Sequence, residues 1–324
     1  CTDLEGELFS SAHAVAKACG RRQRSPLKVD WKVVSALRKF AHENGVRVLH
    51  AHNLMAHMYS VLAAFGTGMR VVVTVHGQAY FGTNRTRLLQ RILSLRTAKV
   101  VCVSDDIRTI ALGRKCFPPR QLAVVQNGIA TRRFQRSVEA EKDTARRRLG
   151  IPEGAFVVGS VGRFAAVKNY PMLVRAFARM MKKCSVFGVQ EERGALNSED
   201  ASMYETSNDT AESVAGLRSK VYGPRSAPLL LIVGDGPERG SIERVIAECG
   251  VGDSVLLPGM QEDTAPWLSA MDVFCLSSTT EGTSISMLEA GAAGLPAVAT
   301  GVGGNSEIVD DGVTGVLVPS GSEE

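Results

Sequence analysis

Long apolar runs are missing from this chain of 324 residues, and no window holds the roughly 20 uninterrupted apolar residues that a membrane span requires. Aromatic residues are scarce at 6%, so the basic segments have no stacking platform and nucleic acid is not expected as a partner. The seven cysteines are odd in number, scattered and never in a CxxC pair. That argues against a disulfide framework or a zinc site and for a reducing, cytoplasmic setting. A G-x-x-x-x-G-K-[ST] loop is absent, and so is an Asp-x-Asp pair for a metal-bound diphosphate, which weakens kinase and metal-dependent alternatives. The stretch Leu231–Pro237 (LIVGDGP) fails as a dinucleotide fingerprint, because after Gly234 and Gly236 the third glycine, Gly240, comes one residue late. It reads as a tight turn. A signal peptide is also missing, and the chain opens on Cys1, so it reads as a fragment or a processed product.

Charge is present but unevenly placed. The net charge is +5, yet residues 1–150 hold 26 Lys and Arg against 10 Asp and Glu, while the remainder holds 12 against 23. So basic a half should attract phosphorylated acceptors, acidic lipids or polyanions. Arg85, Arg87, Arg91 and Arg96 stand beside Leu88, Leu89, Ile92 and Leu93 at helical spacing. This segment reads either as an ordinary core helix with a solvated face or as a peripheral contact with an anionic membrane.

Short strands alternate with helical patterns in both halves, the mark of parallel βαβ units. The first half offers strands at Val46–Leu49, Val71–Val75, Val100–Val103 and Leu122–Val125, with helices such as Trp31–Glu43 and Asn84–Leu95. The second offers Phe156–Val161, Leu229–Val233, Val255–Leu257, Val273–Leu276, Ala297–Thr300 and Gly315–Val318. So many strands predict two α/β, doubly wound sheets: an acceptor-side domain over 1–135 and a second over 136–324. The join is read as the polar linker Thr131–Pro152. A polar stretch without apolar period after the helix Met172–Lys183, about 184–228, reads as a disordered insertion.

Two segments carry the chemistry. In Ser277–Pro296 (SSTTEGTSISMLEAGAAGLP) a strand ends in a polar turn with Glu281 and Gly282, and a helix opens near Thr283–Ser284. Free amides at Thr283, Ser284 and Ile285 would favour phosphate, while Glu281 and Glu289 offer carboxylates to sugar or ribose hydroxyls. Alternatively Glu281 caps the helix and Glu289 is merely solvated. In Gly159–Lys168 (GSVGRFAAVK), Gly162 permits a close turn and Arg163 and Lys168 supply the two cations a diphosphate needs. His76 and Gly77 follow one N-terminal strand, and His50 and His52 follow another; a histidine there suits a sugar hydroxyl or phosphate, and equally an ordinary loop. His50, His52 and His57 lack a fourth ligand nearby, and no metal is expected.

Together these residues resemble glycosyltransferase family 4, retaining enzymes of GT-B fold with two Rossmann-like domains facing a cleft. The resemblance runs from about Val33 to Val318. It rests on Glu281 to Glu289 as an E-x7-E pattern, on GRFAAVK, on TVHG at Thr74–Gly77, on VSDD at Val103–Asp106 and on QNGI at Gln126–Ile129. It implies that Arg163 and Lys168 hold the donor diphosphate with the amides of 283–285, and that Glu289 binds ribose. It further implies that Glu281 and Gly282 meet the transferred sugar, that His76 and Gly77 lie beside it, and that Gly259, Met260 and Gln261 border the base. The implied partners are a nucleotide sugar and a glycan, lipid-linked or small-molecule acceptor, with no cofactor or metal. Nothing before Val33 resembles the family's opening Gly-rich loop, the chain stops at Glu324 before its closing helices, and Ala130 stands where Asp is frequent. A binding protein that has lost the chemistry, or a nucleotide-sugar epimerase, are the alternatives.

Overall fold

The computed structural model describes residues 29–82, 84–134, 139–152, 154–193 and 228–322. Contacts divide the chain into two compact units, Cys1–Asn127 and Gly128–Glu324. The division precedes the expected boundary at 135/136 because Phe134 is buried in the second unit's core and Ile129 packs against it.

Among the described residues the first unit has four parallel strands, β1 (Val48–Ala51), β2 (Arg70–Val75), β3 (Thr97–Cys102) and β4 (Leu122–Val124), lying side by side in that order. Helices Leu54–Ala64, Asn84–Ser94 and Asp105–Arg114 make the crossovers. Two of them open on side-chain caps: Asn53 Oδ1 accepts from the Ala56 amide at 2.8 Å and Ser104 Oγ from the Ile107 amide at 3.3 Å. Strand β1 starts later than expected, because the Val46 amide is taken by the Ala41 carbonyl at 2.8 Å as the preceding helix closes. His50 therefore lies within β1 rather than after it.

His57 is fully buried between helix and sheet. Thr97 Oγ1 donates to the Leu93 carbonyl, so it accepts from His57 Nε2–H at 2.7 Å, and His57 Nδ1 accepts from the Tyr80 hydroxyl at 2.7 Å. Both nitrogens are used by a neutral ring, and burial holds its pKa down to about 4. The unfolded chain protonates this imidazole from its ordinary value of 6.5 downward, whereas the folded chain resists until about 4. Stability is thus full above pH 6.5 and falls as pH drops through this window, by about 3 kcal/mol from this group. Chemical denaturation at pH 7, 5 and 4, with His57 followed by NMR, measures this. A His57 titration near 6.5 would contradict it.

Among the described residues the second unit has six parallel strands, β5 (Val157–Val161), β6 (Leu229–Val233), β7 (Val255–Leu256), β8 (Val273–Leu276), β9 (Ala297–Thr300) and β10 (Gly315–Val318), in the order β10-β9-β8-β5-β6-β7. Alternate residues feed the two faces. Leu231, Val233, Phe274 and Leu276 enter one core, and Val158, Leu230, Ile232 and Cys275 the other. The chain winds outward from β5 through β7, then returns to β8 on the other side of β5. The strand order therefore reverses between β5 and β8, and ligands of open α/β sheets bind outside the carboxyl ends of the strands at such a point.

The expected linker contains a helix, Glu139–Arg148. Charge rather than an apolar stripe holds it. Asp272 takes Lys142 Nζ and an Arg146 terminal nitrogen at 2.6 Å each, together with the Val157 amide at 2.6 Å. Arg146 Nε also donates to the Ala270 carbonyl at 2.9 Å. The helix Tyr170–Arg193 runs on past Lys183, so the expected insertion begins as helix; its residues 194–227 lie outside the described residues. Among the described residues no helix is long and apolar enough to cross a membrane.

Candidate functional site

The two motifs singled out in the sequence leave the two strands that flank the winding reversal. From β5 the chain passes Gly162 and Arg163 into a short turn, Ala166–Lys168, ended by Asn169 in the left-handed region (φ +48°). The Lys168 amide bonds the Ala165 carbonyl at 2.9 Å, which fixes the lysine's backbone. The loop is pinned from β6 as well. Gly162 N–H donates to the Val233 carbonyl at 2.9 Å and Phe164 N–H to that of Asp235 at 2.8 Å. A Cβ on Gly234 would strike the Gly162 carbonyl and one on Gly236 that of Phe164. The stretch Leu231–Pro237 is therefore a close-packed support for the Arg163 turn.

From β8 the chain continues through Ser277 and Ser278 to Glu281. Lys168 Nζ meets Glu281 Oε1 at 2.6 Å, the two side chains being 17% and 12% exposed. The same Oε1 accepts from Ser278 Oγ at 2.6 Å. Ser277 Oγ donates to the Lys168 carbonyl at 2.7 Å, and the Thr279 amide to that of Val167 at 2.8 Å. Glu281 is thus neither a helix cap nor a free carboxylate: Oε1 is occupied by two donors, and neither of them takes Oε2. Arg163 is exposed and forms no side-chain hydrogen bond or ion pair with the described residues.

The helix following β8 begins at Ile285, with Ser284 at its N-cap in extended conformation and no side-chain cap. The first-turn amides, from Ile285 onward, have no intrahelical acceptor. Its buried positions are Met287 and Ala290, whereas Ile285 is 43% exposed. Thr283 precedes the cap and Gly282 is buried, its carbonyl accepting from the Gly304 amide at 2.9 Å. Gly303 (φ +57°) lies so close beneath that a Cβ there would land on the Glu281 carbonyl. Glu289 is half-buried in the second turn. Burial raises its pKa, against the opposing influence of the Arg133 charge and a Thr264 hydrogen bond. Gly259 (φ +81°) accepts from the Gly234 amide at 2.9 Å, Gln261 Nε2 donates to the Pro258 carbonyl at 3.0 Å, and Met260 is 80% exposed.

Ser277, Ser278, Gly303 and Gly304 were not among the expected site residues. The glycines lie outside both chemistry-bearing segments, and the serines, though inside the first, gave no sign of their partners. Ser278→Ala removes one of the two donors on Glu281 Oε1 and leaves Lys168 in place. The expected loss is about 1 kcal/mol of stability by chemical denaturation, with nucleotide affinity close to wild type.

The histidines form a separate cluster in the first unit. His52 Nδ1 and His76 Nε2 lie 2.9 Å apart, and His50 Nε2 meets Thr74 Oγ1 at 2.7 Å. Rings 50 and 52 are 4.4 Å apart between centroids, rings 52 and 76 5.2 Å. Burial and then the His52 charge lower the pKa of both His50 and His76, with His50 adding to the effect on His76. His50 and His76 are therefore neutral at pH 7. Gly77 follows His76 with extended backbone.

Two family models match the chain: Glycosyltransferase Family 4 over residues 4–133 and Glycosyl transferases group 1 over residues 208–324. His76 lies in the first span and Glu281–Glu289 in the second, while Arg163 and Lys168 fall between them. Among solved structures, an Anabaena protein, HepE, in complex with UDP and glucose superposes with a TM-score of 0.70 at 19% identity, over 90% of this chain and 69% of that one. Sucrose-phosphate synthase from Thermosynechococcus elongatus does so with a TM-score of 0.67 at 20% identity, over 94% and 70%. The fold is therefore GT-B, an α/β architecture of two Rossmann-like parallel-sheet domains, as the sequence predicts.

Within that class the resemblance to glycosyltransferase family 4 holds in both halves of the chain. Similar curated proteins include the Escherichia coli UDP-Gal:alpha-D-GlcNAc-diphosphoundecaprenol alpha-1,3-galactosyltransferase, 25% identical over 89% of this chain and 66% of that protein. The D-inositol 3-phosphate glycosyltransferase of Thermobispora bispora is 30% identical over 84% of this chain and 58% of that protein. The chain thus spans less than two thirds of the length of these relatives.

Proposed function

We propose that the protein transfers a sugar from a nucleoside diphosphate sugar to a hydroxyl of a glycan, a lipid-linked molecule or a small molecule, with retention at the anomeric carbon. The observation that carries this reading is the contact of Lys168 with Glu281 at the adjacent carboxyl ends of β5 and β8, on the segment that leads to the helix start at Ser284–Ile285. The bond from the anomeric carbon to the β-phosphate oxygen breaks and the bond to the acceptor oxygen forms on the same face. The acceptor's proton leaves with the departing diphosphate. Negative charge grows on that diphosphate as the sugar becomes oxocarbenium-like, so donors already held at these strand ends lower the barrier.

In this reading Arg163, Lys168 and the amides at 283–285 hold the diphosphate, and no metal or other cofactor is required. Glu281, with Gly282, offers Oε2 to a sugar hydroxyl, and Glu289 binds the ribose. A half-buried carboxylate whose pKa is raised is still an acceptor at neutral pH for a diol. Gly259, Met260 and Gln261 border the base, and His76 with Gly77 serves the transferred sugar from the first domain. The bound UDP and glucose of the Anabaena protein support a nucleotide-sugar donor. The E. coli relative, named for a diphosphoundecaprenol acceptor, supports a lipid-linked one. Such an acceptor would bring the basic first unit to an anionic membrane at its cytoplasmic face, where unpaired cysteines stay reduced. The test is turnover of a nucleotide-sugar panel with and without acceptor. Transfer to acceptor supports the proposal. Donor altered without acceptor would make the protein an epimerase, and binding without turnover in the full-length gene product would make it a binding protein.

A further inference from the structure

The helix Asn84–Ser94 is mounted with apolar side chains turned outward. Leu88 is 63% exposed, Ile92 56% and, one residue past the end, Leu95 81%. Gln90, Ser94 and Thr97 are instead buried on the opposite side. Each donates there: Gln90 Nε2 to the Tyr80 carbonyl at 2.6 Å, Ser94 Oγ to that of Arg91 at 2.7 Å and Thr97 Oγ1 to that of Leu93 at 2.8 Å. Gln90 and Thr97, the latter also bonded to His57, thus tie the polar side to other elements of the first unit. Leu89 and Leu93 pack inward, so the outward stripe is apolar surface beyond what the core needs.

The surroundings of the stripe are basic. Arg91 and Arg96 are exposed on the same side, Arg96 lying over the ring of exposed Phe65 at 5.1 Å. Arg91 Nε reaches the Lys115 carbonyl at 3.0 Å, bringing a further exposed cation to the flank. A cavity of about 460 Å³ opens there, lined by Arg91, Lys115, Phe117 and Pro118 among others. From Asn44 to Ser104 the sequence has seven Lys and Arg and not one Asp or Glu. An acidic protein or polyanion would use these cations and leave the leucines wet. A surface that is anionic outside and apolar within uses both.

We propose that this face docks on an anionic lipid bilayer, Leu88, Ile92 and Leu95 entering the acyl boundary while Arg91, Arg96 and Lys115 meet lipid phosphates. The proposal rests on the membrane contact suggested above for the basic unit and assigns it to one helix. The experiment is co-sedimentation of the full chain with vesicles of phosphatidylcholine alone or with an equal part of phosphatidylglycerol, at low and moderate salt. Binding to the anionic vesicles only is expected, weakening with salt. The variant Leu88→Gln, Ile92→Gln, Leu95→Gln, which keeps every charge, should lose about tenfold or more of that binding. Arg91→Gln with Arg96→Gln should lower it and flatten its salt dependence. No binding to either vesicle, or binding undiminished in the triple variant, overturns the proposal. So does a dimer that the triple variant abolishes while vesicle binding is absent, for then a second copy covers the stripe. Nucleoside diphosphate affinity, measured on the same variants, stays at wild type, so failure of docking and failure of the donor site are read separately.

Discussion

Replacing Lys168 by Gln is expected to lower nucleoside diphosphate affinity about thirtyfold and to destabilise the second unit as well. The two effects have separate origins. Glu281 is only 12% exposed and has Lys168 on Oε1 at 2.6 Å, so removing the ammonium leaves a mostly buried carboxylate with a single hydroxyl donor. Breaking a pair of this kind from one side costs about 3 kcal/mol. The double variant Lys168→Gln, Glu281→Gln removes both charges and should recover most of the stability, because a neutral amide pair can keep a hydrogen bond. It should not recover affinity, since the cation for phosphate is gone. Denaturation curves and calorimetric titration on the two variants distinguish these outcomes. Affinity restored along with stability would mean that Lys168 only props Glu281.

The second large effect is predicted at a glycine packed beneath the Glu281 turn. Gly303 sits at φ +57° with its missing Cβ aimed at the Glu281 carbonyl, which is backbone and cannot swing aside. Gly303→Ala therefore pays for both the left-handed conformation and a displaced 281–282 turn, at about 3 kcal/mol or more. The turn also carries the Gly304 to Gly282 hydrogen bond of 2.9 Å, so its shift moves Glu281 away from Lys168. Thermal unfolding should fall sharply and nucleotide binding should weaken with it. Gly291→Ala is the control: this glycine lies in the helix Ile285–Ala292 with nothing within 4 Å of its would-be Cβ. It should be neutral or slightly stabilising.

Much of the sheet was legible because its strands are short apolar runs bounded by polar or glycine turns. Strands β6, β8, β9 and β10 have the bounds the sequence predicts. The helix Glu139–Arg148 was read as linker for a physical reason. It has no apolar stripe, and its anchor is Asp272, more than a hundred residues away. The same distance in sequence hid the centre of the site. Local spacing put Arg163 and Lys168 at one strand end and Glu281 at another, but only the order β8-β5 makes those ends neighbours. Ser277 and Ser278 carried no signal, since serine after a strand is ordinary turn chemistry until its partners are known. The stripe on the helix Asn84–Ser94 was visible as apolar and basic spacing. Which side faced inward was decided by Gln90 and Thr97, whose hydrogen-bond partners lie on other elements.

The central claim is that the carboxyl ends of β5 and β8 form one receptor for a diphosphate. A structure of the full chain with a bound nucleoside diphosphate tests it most directly. The phosphates should lie at the start of the helix Ile285–Ala292 with an oxygen about 3 Å from Lys168 Nζ. Phosphates bound at another edge of the sheet, with Lys168 still closed on Glu281 and Arg163 facing solvent, would contradict it.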